Sequence, residues 1–303
     1  SIFMENIKDY SFRWRWNMVN DFRPQSIESS GIKSYPTANY VNYYGMQNGY
    51  PINDMTKADA ESGYDPTHPW KNRDPRFYKT IMFDGVKWRN TGGAGGTAEL
   101  FTGGRESEEA NEKKGCFTAY MNSKLCPQLM NTFDGYKENN IMILSLMRLA
   151  DVYLMYAEAT AVGYNSPKGK AATYSLTAEE ALNKIRERAG VAPVLEKFLG
   201  STADFLSELR RERAVELSFE GFRFTDLRRW MLLTQYPYTL KTKIEFDRAD
   251  PNNYNYDAPE ENAIKNLREV VLIERKYTDR HYWYPLPKKD VSMYEGFYQN
   301  PGW

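Results

Sequence analysis

Histidine and cysteine are scarce in this chain of 303 residues, with two of each. That scarcity removes most of the usual catalytic and metal chemistry. His68 and His281 lie far apart and lack the paired spacing of a zinc site. A Ser-His-Asp arrangement would have to use one of them, and both sit among prolines and aromatics in segments that read as loops. Neither a Gly-x-Ser-x-Gly elbow nor a His-Glu-x-x-His motif occurs. Cys116 and Cys126 could close a disulfide or stand as two buried thiols, and two cysteines do not fix a redox compartment.

Net charge is also lacking. Lys and Arg total 40, Asp and Glu total 40. The chain has no basic excess of the kind that nucleic-acid binding calls for. Long apolar runs are missing too. The most apolar window, Ile141 to Val162, contains Arg148, Asp151 and Glu158, which a bilayer core would penalise. The opening Ser1-Ile2-Phe3-Met4-Glu5 has neither a basic nor an apolar region of a signal peptide, so the chain reads as a mature product or a fragment.

What the chain has in excess is aromatic residues: 15%, with 23 Tyr and 7 Trp. Such side chains pair an apolar body with a polar tip. They suit either a core that uses Tyr where others use Leu, or an aromatic-lined surface for a flat polar ligand such as a sugar ring.

Three segments differ in pattern. Residues 1–140 are loop-rich with short strand candidates, punctuated by Tyr35-Pro36, Gly49-Tyr50-Pro51, His68-Pro69 and Asp74-Pro75. The last of these leads into a strand candidate at Thr80-Ile81-Met82-Phe83. Residues 90–115 read as a glycine-rich then charged surface loop. Its glycines are not followed by Gly-Lys-Ser/Thr, so it is not a phosphate cradle. The acidic run Glu106, Glu108, Glu109 and Glu112 reads as solvated surface.

Residues 141–235 read as a helical core. Apolar side chains at Met142, Leu146, Leu149, Tyr153, Tyr156 and Thr160 predict one amphipathic stripe ending at Gly163. Small residues Ala150, Ala157, Ala159 and Ala161 admit a close second helix. Thr177-Ala178-Glu179-Glu180 predicts a capping box, and Gly190 predicts the end of that helix. A third helix is predicted over Thr202–Phe219 and a short fourth from Thr225. Residues 236–303 read as loop again, packed on the same domain.

Charge on the third helix has two readings. Glu212, Glu216 and Glu220 recur every fourth residue beside Arg210, Arg211 and Arg213. They could clamp an anion, or they could pair and tie helices together; balanced signs favour pairing.

At this point the chain resembles a known family. Leu149-Ala150-Asp151-Val152-Tyr153-Leu154-Met155-Tyr156-Ala157-Glu158-Ala159 is similar to the signature helix of the SusD/RagB family. Leu182-Asn183-Lys184-Ile185-Arg186-Glu187-Arg188-Ala189-Gly190 is similar to the family's following helix. Arg210 to Leu217 and Gly221 to Trp230 resemble its next segment. Pro36-Thr37-Ala38-Asn39-Tyr40 and Asp74-Pro75-Arg76-Phe77 precede these, and Tyr284-Pro285-Leu286-Pro287 and Gln299-Asn300-Pro301-Gly302-Trp303 follow, in the family's order.

The resemblance implies a mainly α fold of tetratricopeptide-like helix pairs with long irregular loops and a few short strands. It implies a binder and not an enzyme; no cofactor or metal site is read from the residues. It implies a lipid-anchored protein on the outer face of the outer membrane, capturing glycans for a SusC-like TonB-dependent transporter. Peptide binding of the RagB type, or helical docking to the transporter without glycan specificity, are the alternatives. Family members are longer, and the first residues here resemble the middle of one. The remaining N-terminal part, carried on a separate chain, is therefore a further candidate partner.

The family motifs are scaffold, so ligand contacts are expected in the loops before residue 140. Trp70, Trp88, Tyr64 and Tyr50 are the candidate stacking rings, with Trp14 and Trp16 behind them. Asn72, Arg73 and Arg89 are the candidate hydroxyl donors.

Overall fold

The structure, a computed structural model, describes residues 3–4, 35–87, 96–110, 112, 115–124 and 145–303. Trp14, Trp16, Trp88, Arg89 and Cys126 lie outside the described residues.

Helices begin where the sequence supplies caps. Helix α1 spans Ala38–Val41 and α2 spans Pro75–Thr80. Asp74 caps α2 by accepting from the Arg76 N–H, and Pro75 fills the first position, where no N–H is needed. Asp74-Pro75 thus starts a helix, and the strand that follows, β2 at Ile81–Met82, is only two residues long. It pairs with β3, Met121–Asn122. A second short pair joins β1, Phe3–Met4, to β4, Ser145–Met147.

The helical layer follows. Helix α3 covers Leu149–Gly163 and α4 covers Ala178–Ala189. Both bonds of the Thr177/Glu180 capping box are present, and Gly190 ends α4 in the left-handed region at φ 75°. The buried face of α3 is Ala150, Leu154, Ala157 and Ala161, rotated from the expected stripe; Leu146 (in β4) and Leu149 are 68% and 53% exposed. Small side chains win because α4 and α5 pack closely against α3, and bulk would hold them apart. Helix α5 spans Thr202–Glu216, capped by Ser201, and α6 spans Phe222–Arg229.

Residues 236–303 are not all loop. Strands β5, Leu240–Arg248, and β6, Ile264–Glu274, form a long antiparallel ribbon, and α7 follows at Lys288–Met293. In β5 every second residue, Thr242, Ile244, Phe246 and Arg248, is buried. Phe246 meets Trp70 edge-on at 5.2 Å, so ribbon and loops share one core. Buried Arg248 donates to Asp84 at 2.7 Å, pinning the ribbon to the loop after β2. The fold is mainly α with irregular loops and few strands. Among the described residues no helix is long and apolar enough to cross a membrane.

Candidate functional site

Two of the expected ligand residues come together around one turn. Gly49 adopts φ 89°, which a side chain would strain, and its N–H donates to Met46 O at 3.0 Å. Met46 N–H donates to Tyr50 O at 2.8 Å and closes the turn. Gln47 N–H donates to Asn72 O at 2.9 Å, so the strand-like stretch 45–47 runs beside 72–74. Position 45 must be glycine, because a Cβ there would lie 2.3 Å from Tyr50 O. Arg211 of α5 then anchors the turn, donating to Tyr43 O and Gly49 O at 3.1 Å each.

The turn walls a cleft of about 410 Å³ lined by Met46, Gln47, Asn48, Ser62, Gly63 and Asn72. Its chemistry is neutral and polar. Asn48 is fixed, donating to Ser62 O at 2.9 Å and accepting from Tyr50 N–H at 3.2 Å. Gln47 reaches Gly190 O only at 3.4 Å. Asn72 is held at φ 55°, and among the described residues its exposed carboxamide has no hydrogen-bond partner. At the rim, Lys197 sits 4.4 Å above the half-buried Tyr50 ring and pairs with Glu61 at 3.3 Å. Amides both donate and accept, which suits hydroxyl groups. Among the described residues no carboxylate, histidine or cysteine lines this cleft.

The remaining expected residues are placed elsewhere. Trp70 is fully buried, stacked near Phe83 at 5.0 Å, with its indole N–H on Tyr120 Oη at 3.3 Å. Tyr64 is buried and donates to Met55 O at 2.7 Å. A ring enclosed on both faces offers nothing to a sugar, so these two serve the core. Arg73 is buried as well. Its guanidinium donates to Tyr44 O, Pro69 O and Val41 O at 2.8, 2.9 and 3.0 Å, which satisfies carbonyls at and just after the end of α1 and one in the loop before Arg73. Its donors are therefore not open to ligand. Sequence reasoning missed Gln47, Asn48, Ser62 and Lys197. The Asn48-Gly49 dipeptide, a strong tight-turn signal, pointed to the first two.

A larger cleft, about 640 Å³, lies over the helices and includes Arg76, Lys124, Arg148, Arg188, Glu216 and Glu220. Its charges answer one another. Arg76 meets Glu212 and Glu216, Arg148 meets Glu216 and Glu220, and Lys124 meets Glu220. Deeper in, Arg186 bridges Glu208 and Glu212, and Arg213 bridges Asp151 and Asp226 at 2.6 and 2.7 Å. Most of these pairs join different helices, as the pairing reading of the sequence expected. Burial alone would raise the Glu212 carboxyl; the guanidiniums of Arg76 and Arg186 overcome it and hold the group at about 2. Glu106 departs from expectation too: it is buried, accepting from Glu99 N–H and Arg105. Cys116 is a buried free thiol, pushed up to about 11 by burial.

A mainly helical scaffold stitched by inter-helix arginine–glutamate pairs, with a cleft held in its loops, defines the class. The SusD family model matches residues 1–303, and the chain belongs to that family. It is similar in fold to a SusD-like protein from Bacteroides fragilis, with 21% identity and a TM-score of 0.68 over 94% of this chain and 51% of that one. It is also similar to a SusD-like carbohydrate binding protein from the same species, with 20% identity and a TM-score of 0.56 over 85% and 47%. The chain thus spans about half the length of these structures. No curated protein matches it.

Proposed function

We propose that this chain is part of a cell-surface glycan-binding protein, lipid-anchored at the outer membrane, that hands its ligand to a SusC-like TonB-dependent transporter. It acts by binding and carries out no catalysis. The observation that carries the reading is the neutral amide cleft: Asn72 presents an open carboxamide, Gln47 a weakly held one, and Tyr50 stands at the edge. Family membership over the whole chain supports it. The transporter and the anchor rest on that membership alone.

Calorimetric titration of the intact protein against neutral plant, host and microbial oligosaccharides tests the proposal. Gln47→Ala and Asn72→Gly should each weaken the best ligand about fivefold to tenfold, the worth of one neutral hydrogen bond. Glycine is chosen at 72 because it tolerates the positive φ. Melting temperatures should stay unchanged. Binding of peptides with no binding of any glycan would sink the reading in favour of peptide capture. Transporter association without either ligand would leave docking as the function.

A further inference from the structure

At one end of the ribbon lie three cations that have no carboxylate partner among the described residues. Lys241 lies at the start of β5, and Arg275 follows β6 directly, its N–H donating to Thr239 O at 2.9 Å. Arg223 stands in the first turn of α6. Tyrosines surround them. The Arg223 guanidinium lies 4.8 Å from the Tyr43 ring centre and 5.6 Å from that of Tyr238. Arg275 donates to Tyr277 Oη at 2.7 Å.

Elsewhere several buried and half-buried cations are met by carboxylates, as at Arg76, Arg148, Arg186 and Arg213, and Arg73 and Arg228 by backbone carbonyls. Here, among the described residues, none of the three has a carboxylate partner. The nearby acids are engaged or turned to solvent. Glu220 is held by Lys124 and Arg148 at 2.6 and 2.8 Å, Glu269 accepts from Thr242 at 2.6 Å, and Glu274 is exposed. Burial, then the fields of Arg275 and Arg223, bring the Lys241 amine down to about 8. Lys241 and Arg223 are half-buried and Arg275 is exposed; like charges held near one another repel, and an arriving anion relieves that repulsion.

We propose that Lys241, Arg275 and Arg223 bind the anionic group, a carboxylate or a sulfate ester, of an acidic sugar whose ring lies against the flanking tyrosines. The inference rests on the glycan-binding reading above and names a further ligand class for it. The guanidiniums match an oxyanion's geometry, and the phenol rings offer apolar faces to sugar C–H groups.

The test uses the intact protein with an oligogalacturonate and a sulfated chondroitin oligosaccharide, beside the neutral panel above. One of the acidic ligands should bind; a sulfated chondroitin that binds where its desulfated form does not assigns the sulfate, and binding of the oligogalacturonate or of desulfated chondroitin assigns the carboxylate. Affinity should fall with added salt and as pH rises through about 8, where Lys241 loses its proton. Lys241→Gln with Arg275→Gln should weaken acidic ligands at least roughly tenfold and leave neutral ones unchanged. Arg275→Glu, at an exposed position, repeats the test with little risk to folding. Acidic ligands that fail to bind, or that bind the variants as well as the wild type, overturn this inference while neutral binding keeps the glycan reading. No binding of any glycan overturns both.

Discussion

Beneath its loops the protein buries aromatic rings; between its helices it buries charge. Trp70, Phe77, Phe83 and Phe246 interlock at centroid distances near 5 Å. A short way off, Arg186, Glu208, Glu212, Arg213, Asp151 and Asp226 are all nearly inaccessible to water. The first core is held by dispersion and water exclusion, which depend little on pH. The second is held by complementary charges whose desolvation cost is offset only while every partner is present. Loops of irregular backbone cannot align charges over a long span, but rings fill irregular space. Helices present side chains at fixed intervals, so charged pairs from four helices can meet with good geometry. The two interiors should therefore fail differently.

Trp70→Ala would open the largest cavity and should cost about 3–5 kcal/mol, by the same amount at pH 7 and pH 4 in chemical denaturation. Glu212→Gln should cost about as much at pH 7, because Arg76 and Arg186 are left facing a neutral group. Its effect should shrink in acid. The sign follows from the lowered carboxyl: Glu212 stabilises the fold above the usual glutamate range, and that contribution is lost as pH falls from about 4.5 toward about 2. Glu208 and Glu216 are lowered as well, through Arg211 and Arg186 in one case and Arg76 and Arg148 in the other, both against burial. A pH titration of the difference between each variant and the wild type separates the two cores; a Glu212→Gln penalty constant down to pH 2 would contradict the comparison. Thr177→Ala should cost only about 1 kcal/mol, since it removes one cap from a helix otherwise held by packing. Smallest of all, Asn72→Gly should leave stability nearly unchanged and register only in ligand binding.

Much of the helical layer was legible because its signals are local. Thr177 and Glu180 form a capping box within four residues, and Gly190 stops the helix where the pattern ends. The signature order of Leu149 to Trp230 was enough to indicate the family. Some local signals were misread. Asp74-Pro75 carries both a cap and a first-position proline, yet it looked like the approach to a strand. The alternation Thr242, Ile244, Phe246, Arg248 is strand-like, but the lysines and acids between them gave it the look of a loop.

Sequence by itself determined both ends of α4 and the start of α5, the scaffold family, and the absence of familiar catalytic motifs, because each depends on residues close along the chain. Tertiary structure alone decided which aromatics face water. Trp70 is covered by Phe246, which arrives far later in the chain, while Tyr50 is left half-open beside Lys197. It also decided that Arg73 serves carbonyls at and after the end of α1, that the Gln47–Asn72 cleft exists, and that Lys241 and Arg275 come to one end of the ribbon. Burial and counter-charge are set by whatever packs above a residue, and distant segments supply that cover.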